Sequence, residues 1–184
     1  MIYRFRIVSD EVDDFKREII IDSNATFLEL HDAICDATGF DKAQMSSFFL
    51  CEDNWEKYQE ITLEDMGQES DSSEDLYLMA DSVIGDSLDD TDQKLLFTFD
   101  YLTDRSLFMK LIDITTGKNL PKPECVVSQG EAPSQNVDFD EFEASQIVSD
   151  TLTGHFDDDD EMYGSSEYND DEVDFDNMSI DLPD

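Results

Sequence analysis

Histidine and cysteine are scarce in this chain, and their spacing limits the chemistry open to it. His31 and Cys35 stand four apart, a separation that puts two side chains on one helical face, where they could offer nitrogen and sulfur to zinc. A structural zinc needs two further donors, and no Cys pair or His pair supplies them, so His31 reads as a helix residue partly buried beside a sheet. The other histidine, His155, is expected in solvent. Cys35, Cys51 and Cys125 are odd in number, widely spaced and free of any Cys-x-x-Cys, which fits reduced thiols better than a disulfide framework.

Nucleophilic catalysis needs a base next to Ser, Cys or Thr, and two distant histidines make a triad improbable. Carboxylate pairs carry no signal, because a chain with 48 Asp and Glu produces them by chance. No Gly-rich phosphate loop occurs. Asp170, Glu172, Asp174, Asp176 and Asp181 follow the 1, 3, 5, 7, 12 spacing of a calcium loop, but Phe175 replaces the turn glycine and Asp181 the bidentate Glu. No catalytic residue, metal ligand or cofactor is therefore assigned.

Charge says more. The formal net charge is −37, and a surface that negative repels phosphate and anionic lipid, so direct nucleic-acid or membrane binding is not expected. All eleven bases lie at or before Lys122. Residues 1–122 hold 28 acids and 11 bases, whereas residues 123–184 hold 20 acids and no base. Blocks of like charge such as Asp157, Asp158, Asp159, Asp160 and Glu161 repel one another and favour an extended chain, so residues 151–184 are expected to be a disordered acidic tail after a domain of residues 1–150. With a hydrophobic content of 39%, part of the chain should still fold. No apolar run approaches the ~20 residues that cross a bilayer, and the start lacks the apolar core of a signal peptide, so the expected location is cytoplasmic.

The elements before the tail alternate between strand and helix. In residues 2–8 Tyr3, Phe5 and Ile7 share one face and Arg4 and Arg6 the other, the period of a half-buried strand. KREIIID supplies a partner strand across a polar turn. Thr26 and Glu29 form a capping box, with Phe27, Leu30, Ala33, Ile34 and Ala37 following at helical spacing and Gly39 placed to end the helix. A short strand is expected near residues 47–51, and residues 76–88 fit either a strand or a helical turn. Residues 94–99 and 106–114 read as a second hairpin joined by DYLTDR. The fold expected is α+β: a mixed sheet of about five strands, from two hairpins plus a strand, on one main helix.

YRFRI, TFLELHDAICDATGF, LLFTFDYLTDRSLFMKLIDI and PECVVSQGEAPSQ, in that order, resemble the plasmid pRiA ORF-three-like family, also called insertion-element passenger TnpR-like. The resemblance covers about residues 1–145, with VDFDEFEAS where the family often has a short terminal helix. It implies a compact α+β domain of no established activity. Where the family reads Tyr-Asp-Phe-Gly-Asp followed by Trp and His, this chain has Phe99, Asp100, Tyr101, Leu102, Thr103 and Asp104, so Asp100 alone carries over.

The tail mixes its acids with Phe156, Met162, Tyr163, Tyr168, Val173, Phe175, Met178, Ile180 and Leu182. Acidic segments with apolar anchors bind basic, grooved partners: charge speeds the encounter and the anchors slow release. The expected function is a non-enzymatic interaction module whose tail, through Asp157 to Glu161 and through Phe175, Met178, Ile180 and Leu182, binds a basic protein or a basic surface of nucleic-acid machinery. An enzyme using the face around Asp100, Asp104 and Arg105, and a nucleic-acid mimic, are the alternatives. Arg4, Arg6, Lys16 and Arg17 form a basic cluster on which the tail could fold back.

Overall fold

The computed structural model describes residues 1–65 and 76–136. The domain boundary expected at residue 150, the terminal helix expected at VDFDEFEAS and the whole acidic tail lie outside the described residues.

Alternation sets the first hairpin. β1 (Ile2–Val8) buries Tyr3, Phe5 and Ile7, and β2 (Lys16–Asp22) pairs with it antiparallel, Arg6 opposite Glu18 and Val8 opposite Lys16. α1 (Phe27–Thr38) starts as its capping box dictates: the Glu29 amide donates to the Thr26 hydroxyl at 3.3 Å and the Thr26 amide donates back to the Glu29 carboxylate at 2.9 Å. It ends at Gly39, whose φ of 81° is the left-handed conformation a side chain resists.

Then come β3 (Ser47–Cys51), β4 (Lys57–Thr62), β5 (Tyr77–Leu78), α2 (Ile84–Ser87), β6 (Lys94–Asp100), β7 (Arg105–Thr115) and β8 (Glu124–Gln129). All eight strands join one sheet in the order β5-β4-β3-β6-β7-β1-β2-β8, antiparallel except where β5 runs parallel to β4. The class is α+β and mixed, but the expected count of about five strands is too low. β4 and β8 are absent from the expected set because they lack the signal of a half-buried strand: β4 buries only Ile61 and Thr62, and β8 is an edge strand with five of its six residues exposed. The ambiguous stretch 76–88 resolves into both alternatives, the strand β5 and the single turn α2. Among the described residues no helix is long and apolar enough to cross a membrane.

One face of the sheet carries the core. α1 lays Phe27, Leu30, His31, Ile34 and Cys35 on it, and the rings interlock: Phe27 on Phe48 at 5.4 Å, Phe48 on Phe97 at 5.0 Å, His31 edge-on to Phe97 at 5.8 Å. Each fully buried side chain of this kind contributes about 1.5–3 kcal/mol, whereas dispersed surface charges are screened over about 8 Å at physiological salt. Packing therefore outweighs the repulsion among acids. Gly130 marks a second constraint, because at φ 67° a Cβ there would lie 2.4 Å from the Asp14 carbonyl oxygen.

His31 and Cys35 share a helical face as their spacing requires, with Cys35 Sγ 3.6 Å from His31 Nε2 and His31 Nδ1 3.2 Å from Asp32. The order Cys, His, Asp is that of an activated thiol, but burial gives it the opposite electrostatics. Burial pushes the Cys35 thiol up to about 12 and lowers the imidazole, an effect the Asp32 carboxylate only partly opposes. A protonated thiol then lies beside a neutral imidazole, and the pair lacks the thiolate that a reactive cysteine needs. Among the described residues no group of three or more His, Cys, Asp or Glu could hold a metal ion.

The raised thiol predicts an alkaline loss of stability. Between the ordinary thiol value of 9.0 and about 12 the unfolded chain releases the Cys35 proton and the folded chain keeps it, so unfolding free energy should fall as pH rises through that window. Urea denaturation at stepped pH should show this slope, shallower in Cys35→Ala; an identical slope in the variant would count against a buried, protonated thiol.

Candidate interaction face

The opposite face of the sheet has no helix on it among the described residues, and the register arranges its side chains in rows across the strands. Lys57 pairs with Cys51, Cys51 with Lys94, Lys94 with Lys110, Lys110 with Arg6 and Arg6 with Glu18. That line runs from β4 to β2 and contains four cations. The adjacent row runs Glu60, Phe49, Leu96, Phe108, Val8 and Lys16, and is apolar through its middle. A third row, Thr62, Ser47, Thr98 and Ser106, is made of hydroxyls.

The basic row is electrostatically strained. Lys94 opposite Lys110, and Lys110 opposite Arg6, set like charges directly across strands, a pairing that destabilises a sheet. Acids offset part of the repulsion: from outside the row Asp92 lies 2.6 Å from Lys110 and Asp104 3.3 Å from Lys57, and at its end Glu18 lies 2.9 Å from Arg6 and 3.3 Å from Arg4. Lys94 meets the Asp53 carbonyl and the Trp55 ring, 5.2 Å from its centroid. Lys57 stands 4.3 Å over Phe49. Trp55, the sole tryptophan, reaches over from the β3–β4 turn with its ring edge-on to Phe108 at 5.0 Å. Its φ of 69° is unusual for a bulky residue and is a local strain.

The hydroxyl row leads to Tyr101, whose phenol hydrogen-bonds Ser47 and, at 2.9 Å, donates to Glu60. Burial, with the Glu60 hydrogen bond and charge adding to it, pushes this phenol up to about 12. It stays protonated at neutral pH and cannot act as a base there.

The sequence-predicted residues are divided by this geometry. Arg4, Arg6 and Lys16 lie on the open face. Arg17 does not: it turns to the core side, stacks on Phe15 at 4.7 Å, and donates to the carbonyls of Ala37 (2.9 Å), Lys16 (3.0 Å), Gln129 (2.6 Å) and Gly130 (3.0 Å). Adjacent strand residues point to opposite faces, so Lys16 and Arg17 could not share one. Asp100, Asp104 and Arg105 hold structure together. Asp100 accepts from the Leu102 amide and the Thr103 hydroxyl, Asp104 pairs with Lys57, and Arg105 grips Glu11 through two bonds of 2.8 and 2.6 Å and the Ser134 carbonyl at 2.8 Å. Asp157 to Glu161, Phe175, Met178, Ile180 and Leu182 lie outside the described residues.

Sequence reasoning missed Phe49, Trp55, Lys57, Lys94, Phe108 and Lys110. A signal existed for part of the set, because KLLFTFD and RSLFMKL alternate with period two and bring Lys94 and Leu96, or Phe108 and Lys110, to one side. What joins them is register between strands distant in sequence.

The division of the predicted basic cluster has a measurable consequence. Arg17→Ala removes a charged donor from four carbonyls and should cost at least about 1.5–3 kcal/mol, while Lys16→Ala should stay within about 0.5 kcal/mol. Urea unfolding of both variants checks this, and equal costs would contradict the assignment.

No curated protein matches the chain. The crystal structure of a protein of unknown function, MM3350 from Methanosarcina mazei Go1, is similar with a TM-score of 0.57 at 16% identity, covering 82% of each chain, which shows a shared fold. The model of the plasmid pRiA4b ORF-3-like protein matches residues 1–182, and the chain belongs to that family.

Proposed function

We propose that the chain is a non-enzymatic interaction module whose acidic C-terminal segment binds a basic protein or a basic surface of nucleic-acid machinery. The observation that carries this reading is the charge asymmetry: 20 acids and no base follow Lys122, with apolar side chains set among them. A segment needed for solubility alone has no use for Phe175, Met178, Ile180 and Leu182. Carboxylates steer a cationic partner in, and the apolar side chains then hold it. Three unpaired thiols, Cys35, Cys51 and Cys125, suit a cytoplasmic setting.

The geometry favours this over catalysis at Asp100, Asp104 and Arg105, since each of those side chains already serves a turn or a clasp. The test is a pull-down from lysate with the full chain and two full-length variants. In one, Asp157 to Asp160 become Asn and Glu161 becomes Gln; in the other, Phe175, Met178, Ile180 and Leu182 become Ser. A cationic partner should be captured by the wild-type chain and lost several-fold by each variant. The same partners recovered by all three would refute the reading, and displacement of the partner by duplex DNA would identify the target as nucleic-acid machinery.

A further inference from the structure

We infer that the outer edge of β8 is a self-association site, at which a second copy of this chain adds its own β8 antiparallel and joins two sheets across a two-fold axis. Three observations set both the place and the occupant: an open backbone edge, a stretch without net charge in a strongly acidic chain, and a strand that complements itself.

β8 ends the strand order, and among the described residues nothing pairs with its outer side, so alternate amides and carbonyls of Glu124–Gln129 face away from the sheet. Native sheets guard such edges with brevity, charge, proline or a bulge. β5, the opposite edge, is two residues long. β8 is six residues long and carries no charge after Glu124; within the strand its one guard is the register shift against Glu18 and Ile19, which leaves Val126 unpaired and 41% exposed. The strand is also held in place. Arg17 grips the Gln129 and Gly130 carbonyls at its end, and the Leu120 amide donates to Asp22 at 3.1 Å ahead of its start. An edge already ordered loses little further freedom when it pairs.

Charge selects the occupant. Residues 114–136 carry two acids, Glu124 and Glu131, and two bases, Lys118 and Lys122, in a chain where 48 of 184 residues are acidic. Both acids of β2, the neighbouring strand, are engaged: Glu18 lies between Arg4 and Arg6, and Asp22 accepts from the Asn24 and Leu120 amides. Two copies of net charge −37 therefore meet with least repulsion at this edge, once salt has cut the range of their other charges to about 8 Å. A strongly charged foreign strand finds little here to attract it. β8 also complements itself. Paired antiparallel over its full length with a second β8, it sets Val126 opposite Val127, Cys125 opposite Ser128 and Glu124 opposite Gln129, apolar at the centre and polar at the ends, with no like charges face to face. One patch that fits its own copy is what a two-fold dimer requires.

Sedimentation of the full-length protein tests this, in reductant so that the exposed Cys125 cannot link copies covalently. A reversible monomer–dimer equilibrium is expected at micromolar concentrations. It should tighten as salt rises, the opposite of an association driven by attraction between unlike charges. Val126 stands beside the axis, so Val126→Glu and Val126→Lys each bring like charges together across it and should each weaken the dimer at least about tenfold. An equimolar mixture of the two variants should restore the association as a heterodimer. Because Val126 is exposed, both variants should unfold in urea as the wild type does. A wild-type chain that stays monomeric at every concentration and salt would overturn the inference. So would a dimer that weakens with salt, a dimer that both variants leave unchanged, or a mixture in which no heterodimer forms.

Discussion

Eleven cations serve 48 carboxylates in this chain, and the fold depends on where those cations are placed. Core formation is indifferent to the imbalance because packing of Phe27, Phe48 and Phe97 between α1 and the sheet contributes far more than screened surface repulsion removes. The cations are thus free to be used elsewhere. Two of them, Arg17 and Arg105, act as clasps, each drawing separate segments together through several hydrogen bonds. Most of the others collect on the side of the sheet that carries no helix among the described residues, where they crowd one another.

That crowding is the part of the structure that stability alone does not explain. A protein with so many acids could set one opposite every lysine, yet Lys94, Lys110 and Arg6 follow one another across three strands. Two of the acids that approach the row, Asp92 and Asp104, come from turns, both in the left-handed conformation that Asp tolerates better than most residues. Trp55 is strained in the same way at the end of the row. Strain and like-charge contact are thus gathered on one surface of the sheet.

Much of the fold was legible in residues whose signals are local. The alternation of Tyr3, Phe5 and Ile7, the Thr26 and Glu29 box and the stop at Gly39 each depend on neighbours a few positions away, and each appears as read. The resemblance to the plasmid pRiA ORF-three-like family was also legible, since it depends on the order of motifs. Edge strand β8 was not, because an exposed strand lacks an apolar face to set the period, and β5, two residues long, was legible only as one of two alternatives. The candidate face was half legible: Arg4 and Arg6 lie on it, but Arg17 was grouped with them by nearness in sequence, although strand geometry sends it to the other side. Lys57, Lys94 and Lys110 are 53 positions apart end to end and meet only through register.

The central claim is that like-charged side chains crowd one face of the sheet, while packing on the other face is indifferent to charge. The most direct measurement is an NMR salt titration of the full-length chain, following the Trp55 indole and the amides of Lys94, Phe108 and Lys110 against those of α1. The account predicts that the face signals shift together in one transition as salt screens the like charges, while signals from the buried side of α1 stay in place. Face and helix signals that drift alike, with no transition specific to the face, would contradict it.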